Sequence, residues 1–129
     1  MRTIVEIEVT RQAGREVSEA DATTGMVRER AFGGDVWAGI VKTAPNRPSG
    51  WHHHGHYETY FYVMEGQMRM EFGPGGSDAI VAGPGDFVHV PAETVHREVN
   101  PADTPGAVVL MRIGNGPPVV NVDGPAPRE

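Results

Sequence analysis

Glycine and proline interrupt this chain at short intervals, and this feature limits the available folds more than any other. The 129 residues include 17 Gly and 11 Pro, which gather in turns such as GPGGS and AGPGD. Between the turns lie short runs rich in β-branched and aromatic residues, as is typical of antiparallel strands. These runs span residues 3–9, 26–32, 36–44, 58–64, 67–72, 78–82, 86–91, 95–99 and 107–113. We therefore predict an all-β fold, either a sandwich or a barrel.

The length of the chain predicts a single domain, residues 1–129. Two segments fall outside the strand pattern. Residues 10–25 are polar, and we expect a long surface loop or an arm there. The Pro-rich tail, residues 116–129, holds one short apolar run, VVNV. We assign both ends of the chain to an oligomer contact.

The charge pattern and the missing residue types narrow the range of partners. The chain carries 11 basic and 17 acidic residues for a net charge of -6, and its basic residues are scattered. Nucleic acid and anionic membrane surfaces both require a basic patch, so we expect a small-molecule substrate instead. No apolar run approaches the length of a membrane span, and the first residues do not resemble a signal peptide, which predicts a cytoplasmic protein.

Four histidines fall within five positions of the segment SGWHHHGHYETYFYVMEG, residues 49–66. Alternate residues of an extended strand share a face, so His52 and His54 can point the same way while His53 points opposite. Two imidazoles on one face supply half of a metal site. The chain has no cysteine, so any tightly held metal must be bound by nitrogen and oxygen. We expect His53 and His56 to be surface residues.

A second histidine segment, GDFVHVPAETVHREVN, spans residues 85–100. Together the two segments resemble the cupin superfamily, whose motifs are written G-x5-H-x-H-x(3,4)-E-x6-G and G-x5-P-x-G-x2-H-x3-N. The second motif matches at Gly85, Pro91, His96 and Asn100, with Glu93 where a glycine is usual. The resemblance covers about residues 36–113, which would form the core of the barrel.

The first cupin motif matches at His52, His54 and Gly66. The resemblance implies a double-stranded β-helix, or jelly-roll, barrel. It also implies one divalent transition metal, held by His52, His54 and His96, and a homodimer. Iron, manganese, zinc, nickel and copper all accept imidazole, so the metal is left open.

The glutamate of the first motif has two candidate positions. Counting forward from His54 reaches Glu58, whereas counting back from Gly66 reaches Thr59. We favour Thr59, because a slip of one residue would turn every side chain of the strand to the other face. The prediction is then a three-histidine centre, with Glu58 as a candidate fourth ligand if a bulge reorients it.

Two further residues are candidate catalytic groups. Glu98 shares the parity of His96, so it either points inward as a general base or as a partner that orients an imidazole, or it is a surface carboxylate beside Arg97. His89 either faces the cavity as an acid or base or is a packed, hydrogen-bonded strand histidine.

The resemblance leads us to expect an oxygenase-like enzyme that binds an enolate or phenolate oxygen of a small organic substrate at the metal. A neutral set of three imidazoles leaves the full metal charge available to such an anion. The first alternative is a non-redox lyase, isomerase or cyclase that uses the metal as a Lewis acid. The second alternative is a small-molecule binding module without catalytic activity.

Overall fold

A computed structural model describes residues 6–19 and 26–126. These residues form two antiparallel sheets and two short 3-10 turns, at Gln12–Gly14 and Pro74–Gly76. The strands, in chain order, are β1 (Glu16–Glu19), β2 (Met26–Phe32), β3 (Val36–Thr43), β4 (His52–His53), β5 (Glu58–Glu65), β6 (Met68–Phe72), β7 (Asp78–Ala82), β8 (Phe87–Val90), β9 (His96–Val99), β10 (Gly106–Ile113) and β11 (Val120–Asn121).

The strand order shows how the two sheets are connected. The six-stranded sheet has the order β1-β2-β3-β10-β5-β8, and the five-stranded sheet has the order β11-β4-β9-β6-β7. Strands that are distant in sequence, such as β3 and β10, pair along their full lengths. This arrangement is the double-stranded β-helix of the prediction, so the predicted all-β fold class is confirmed.

The hydrophobic core lies between the two sheets, because each strand turns alternate side chains inward. On β10, Val108 and Leu110 point inward and are buried. Met111 lies between the inward residues Leu110 and Arg112 and is exposed. Val41 of β3 and Val63 of β5 lie beside Val108 in register. The buried cluster comprises Met26, Val41, Phe61, Val63, Met68, Met70, Ala82, Val88, Val90, Val108 and Leu110.

The ends of the chain differ from the prediction. Residues 6–9, part of the run 3–9, form no strand, and residues 3–5 lie outside the described part. The polar segment 10–25, predicted as a loop or arm, contains β1, which pairs antiparallel with β2. The cause is that β1 is an edge strand: it buries no large apolar face, so its polar sequence gives no alternation to detect. Ion pairs such as Arg15–Glu29 at 3.2 Å hold it in place.

The Pro-rich tail is part of the barrel. Its residues Val120 and Asn121 form β11 and pair with His53 and His52 of β4. No helix among the described residues is long and apolar enough to cross a membrane.

Candidate metal centre

His52 and His54 lie on the inward face at the start of the first histidine segment. Both side chains are buried, while His53 between them is partly exposed, as the strand alternation predicts. Gly55 then ends the extended segment with φ of 56°, and a Cβ there would lie 2.9 Å from the Pro117 carbonyl oxygen. Glycine is therefore the residue that this turn can hold without strain. His56 beyond the turn is exposed, as expected.

His96 is brought to the same place by sheet pairing. It is the first residue of β9, and its register partner on β4 is His52. The ring centroids of the three histidines are 4.4 to 5.0 Å apart, and one candidate ligand atom from each lies within 4.8 Å of the others. The structure thus brings together the three histidines that the two motifs predict.

Hydrogen bonds fix the tautomer of each imidazole. Each Nδ1 lies close to a main-chain carbonyl oxygen, which can only accept: Gly50 for His52 at 2.8 Å, Pro118 for His54 at 2.9 Å, and Thr94 for His96 at 2.9 Å. The proton therefore sits on Nδ1, and Nε2 keeps its lone pair. This is the usual way in which a protein orients a histidine toward a metal.

The surroundings of His52 and His54 favour the uncharged imidazole. Burial, with a contribution from the nearby Arg112 charge, lowers the pKa of His54 to about 3, and burial also lowers the pKa of His52. The Nε2 atoms of His54 and His96 are buried and have no hydrogen-bond partner among the described residues. A buried acceptor without a partner is costly, and a cation at the centre of the three rings would remove that cost. The donor set therefore fits a divalent transition metal.

The role of the C-terminal tail in holding His54 is a feature that the sequence analysis missed. The Pro118 carbonyl accepts the His54 Nδ1 hydrogen, and β11 pairs with the strand that carries His52. The short apolar run VVNV was the available signal, since a brief run between turn residues is typical of a short strand.

Glu93 occupies the position where a cupin usually has glycine, and it adopts glycine's conformation. Its φ is 59°, in the left-handed region, and its main-chain N–H donates to the Gly55 oxygen at 2.8 Å. This bond links the turn that follows His54 to the turn that precedes His96. A side chain in this conformation is strained by about 1–2 kcal/mol.

Glu98 points inward beside the histidines. Its side chain is buried, and its Oε2 atom lies 4.0 Å from His96 Nε2 without a hydrogen-bond partner among the described residues. Buried Ser49 holds its backbone: the Glu98 N–H donates to Ser49 Oγ at 3.0 Å, and the Ser49 N–H donates to the Glu98 carbonyl at 2.8 Å. The inward alternative is therefore the observed one, and the surface alternative is wrong.

His89 and Glu58 form a separate pair away from the cluster. His89 Nε2 lies 2.6 Å from Glu58 Oε1, and the Ala92 N–H donates to Glu58 Oε2 at 2.7 Å. The hydrogen bonds from His89 and Ala92 lower the pKa of the Glu58 carboxyl. Both side chains are partly exposed. The strand turns Val88 and Val90 inward, so His89 lies on the opposite face of β8, where it and His96 both line a groove of about 570 Å³.

The structure places Glu58 outside the histidine cluster because no bulge reorients it. Both of its oxygens are already hydrogen-bonded to His89 and Ala92. The preferred strand register is the observed one: Thr59 is fully buried and Glu58 is partly exposed. A fourth ligand at Glu58 would require this segment to rearrange.

Two cavities adjoin the cluster. The inner cavity, of about 30 Å³, lies inside the barrel, and its lining includes His54, Glu98, Phe61 and Leu110. The edge groove, of about 570 Å³, runs between β7 and β8, and its lining includes His96. The inner cavity is also lined by Arg28 and Arg112, which the sequence analysis missed. Arg112 shares the parity of Leu110 on β10, and this was the available signal.

Comparison with known proteins identifies relatives of this chain. The Cupin domain family model matches residues 39–112. Quercetin 2,3-dioxygenase of Bacillus subtilis (strain 168) is 49% identical over 45 residues, so the match spans 35% of this chain and only 12% of that relative's length.

Solved structures share the fold over most of the chain. The polyketide cyclase RemF from Streptomyces resistomycificus is similar with a TM-score of 0.73 and 19% identity, over 91% of this chain and 86% of that one. An RmlC-like cupin from Shewanella frigidimarina is similar with a TM-score of 0.67 and 21% identity, over 85% of this chain and 93% of that one. At such identities the likeness supports the fold and not a shared activity.

Proposed function

Because this chain belongs to the cupin family, whose model matches residues 39–112, we propose that it is a mononuclear metal enzyme acting on a small organic substrate. His52, His54 and His96 would hold the ion, which is one divalent transition metal. The observation that carries the proposal is the orientation of the three imidazoles. Each is fixed through Nδ1 so that Nε2 is left for a ligand between the two sheets.

A metal held by three neutral imidazoles supplies a strong positive charge that polarises a carbonyl, enolate or phenolate oxygen of the substrate. The protein's own residues supply the other requirements. Apolar side chains such as Phe61 and Leu110 keep bulk water out of the inner cavity. Glu98, whose Oε2 has no hydrogen-bond partner in the described part of the chain, is placed to accept a proton from a substrate held beside His96.

For the reaction class, our first candidate is oxygenase-like chemistry on an enolate- or phenolate-type substrate. It is supported by the similarity to quercetin 2,3-dioxygenase over 45 residues. The second candidate is a non-redox lyase, isomerase or cyclase. It is favoured by Glu98, because a buried carboxylate without a partner suits the proton transfers that such reactions need.

The test of the metal site uses neighbouring histidines as matched controls. Protein prepared without added metal is reconstituted with iron, manganese, zinc, nickel or copper, and the bound metal is measured by elemental analysis. We expect about one ion per chain in the wild type and in His53→Ala, and almost none in His54→Ala. Of these two neighbouring histidines, His54 belongs to the cluster and His53 does not. A wild type that retains no stoichiometric metal would refute the proposal.

The choice between the two reaction classes is a second experiment. Substrate candidates are incubated with iron-loaded and zinc-loaded protein, with and without dioxygen. Strict dependence on iron and dioxygen supports the oxygenase candidate. Anaerobic turnover with zinc, a metal without redox chemistry, supports the non-redox candidate.

We also propose that the protein is a homodimer formed through the outer face of the six-stranded sheet. Tyr60, Phe87, Met111 and Ile113 are large apolar side chains on three adjacent strands of this sheet, and all are at least 40% exposed. Exposed apolar patches of this kind usually mark an interface. Sedimentation velocity should give a dimer for the wild type and a monomer for Met111→Glu. A monomeric wild type would contradict the proposal.

A further inference from the structure

The inner cavity contains charged side chains that the proposed chemistry has not used. Arg112 on β10 is 4% exposed, and Arg28 on β2 is partly buried; both line the cavity together with Glu98. The Nε atoms of both arginines are buried and have no hydrogen-bond partner among the described residues. A buried guanidinium normally has every N–H paired, because an unpaired one is costly.

The Glu98 charge partly opposes the effect of burial on the pKa of each arginine, but Glu98 forms no ion pair with them among the described residues. Burial, followed by the charge of Arg28, lowers the pKa of Arg112 to about 10, so the side chain is still a cation at neutral pH. Arg47 also lines the cavity, so three guanidinium groups share its lining with the one carboxylate of Glu98, and such an excess of positive groups attracts an anion.

The arginines lie beside the histidine cluster. His54 lines the inner cavity together with Arg28 and Arg112. The guanidinium of Arg112 also lies 5.3 Å from the centre of the Trp37 ring. This cation–π contact helps to orient the guanidinium without occupying the guanidinium N–H groups. An anion bound to the arginines would thus lie close to the metal site.

We infer that Arg28 and Arg112 form a carboxylate-binding subsite, so that the substrate is a small organic acid. Its carboxylate lies against the guanidinium groups while a second oxygen faces the three histidines. Only the position of the second oxygen rests on the proposed function. The arginines can bind the carboxylate without a metal.

The size and shape of the cavity favour a carboxylate over bulkier anions. A volume of about 30 Å³ is room for roughly two waters, since one water needs about 10–15 Å³. The two oxygens of one carboxylate occupy a similar space. A planar guanidinium also matches a planar carboxylate through two parallel hydrogen bonds, which a lysine could not make.

Urea denaturation distinguishes a ligand-binding role of Arg112 from a purely structural one, because the two roles predict opposite effects of removing its charge on stability. Replacing a buried charge by an apolar side chain of similar volume is often neutral or stabilising. If the arginine serves ligand binding, Arg112→Met should unfold in urea at a concentration no lower than the wild type. A clear loss of stability would show that the arginine holds the fold together.

The binding test compares an acid with its neutral amide. Pyruvate and pyruvamide are titrated calorimetrically into the zinc-loaded wild type, Arg28→Met, Arg112→Met and the matched control Arg69→Met, a surface arginine paired with Glu71. We expect the wild type and Arg69→Met to bind pyruvate about 10- to 100-fold more tightly than pyruvamide, and Arg28→Met and Arg112→Met to lose that preference. Arg112→Lys should recover only part of it.

Repeating the titration on metal-free protein separates this inference from the proposed function. If zinc does not load but pyruvate still binds and depends on the arginines, the metal proposal fails and the subsite stands. If zinc loads and the wild type does not distinguish pyruvate from pyruvamide, the subsite is refuted and the metal proposal stands. Should Arg112→Met fail to fold, Arg28→Met and Arg112→Lys decide the question.

Discussion

Two histidine–glutamate pairs lie in different regions of this protein and use the same chemical groups in different ways. On the outside of the six-stranded sheet, His89 Nε2 lies 2.6 Å from Glu58, and the Tyr60 ring stacks on the His89 ring at 4.7 Å. Inside the barrel, His96 Nε2 and Glu98 Oε2 are 4.0 Å apart, and neither atom has a hydrogen-bond partner among the described residues.

The difference shows which pair is available for chemistry. In the outer pair, His89 Nε2 and both Glu58 oxygens are hydrogen-bonded within the protein, and both side chains are partly exposed to water. The inner pair is buried and keeps that capacity, although an unmet buried polar group lowers the stability of the fold. Such a cost is typical of functional sites, where ligand binding recovers it. We therefore propose that the inner pair serves metal binding and catalysis and that the outer pair has a structural role.

The largest expected effect on stability contrasts the two histidines of these pairs. Zinc at about 100 times its dissociation constant should raise the free energy of unfolding of the wild type by about 2.7 kcal/mol. His89→Ala should show the same rise, and His96→Ala should show none, because only His96 belongs to the cluster. Urea denaturation with and without zinc measures the difference. Equal responses of the two variants would remove the distinction between the pairs.

The next effect contrasts the two glutamates. Glu98→Gln keeps the size of the side chain but cannot accept a proton, so turnover should fall by about 10²- to 10⁴-fold. Glu58→Gln should leave turnover near the wild-type value, since its carboxylate contacts only His89 and Ala92. Steady-state rates on the same substrate, with metal content measured in parallel, check this. A Glu98→Gln variant that turns over normally would mean that Glu98 transfers no proton.

The sequence predicted the inner cluster well because strand alternation and spacing determine it. His52 and His54 are two residues apart on one face, and the motif spacing identified His96. The choice of Thr59 as the inward residue rested on the same period-two rule. The predicted strands at 26–32, 78–82 and 107–113 correspond closely to β2, β7 and β10 for this reason.

The sequence could not place the features that depend on tertiary contacts. The Pro118 carbonyl reaches His54 across 64 positions of the chain; the run VVNV signals a short strand after Pro118 but not that this strand lies beside His54. The alternation of Val88 and Val90 indicates which face of β8 carries His89, but only the pairing of β5 with β8 brings His89 to Glu58. The charges in the inner cavity come from β2 and β10, which lie apart in the sequence and meet only through β3.

A smaller effect concerns how the inner glutamate is held. Glu98 is anchored through its backbone, whose N–H donates to the buried Ser49 Oγ at 3.0 Å. Ser49→Ala leaves that N–H without its partner and should lower the free energy of unfolding by about 1–3 kcal/mol. The exposed Ser77→Ala is the matched control and should have almost no effect. Urea denaturation of the metal-free proteins measures both, and equal midpoints would show that water replaces the lost hydroxyl.

The smallest effect is a pH dependence of stability that belongs to the outer pair. Hydrogen bonds lower the pKa of Glu58 in the folded state, so its contribution is present above the unfolded-state pKa of about 4.3 and disappears as pH falls through the lowered value. Glu58→Gln should therefore be slightly less stable than the wild type at pH 7, and the two should converge under acid conditions. Melting curves between pH 7 and pH 3 check this. A gap that widens on acidification would show that the pair is held by something other than the Glu58 charge.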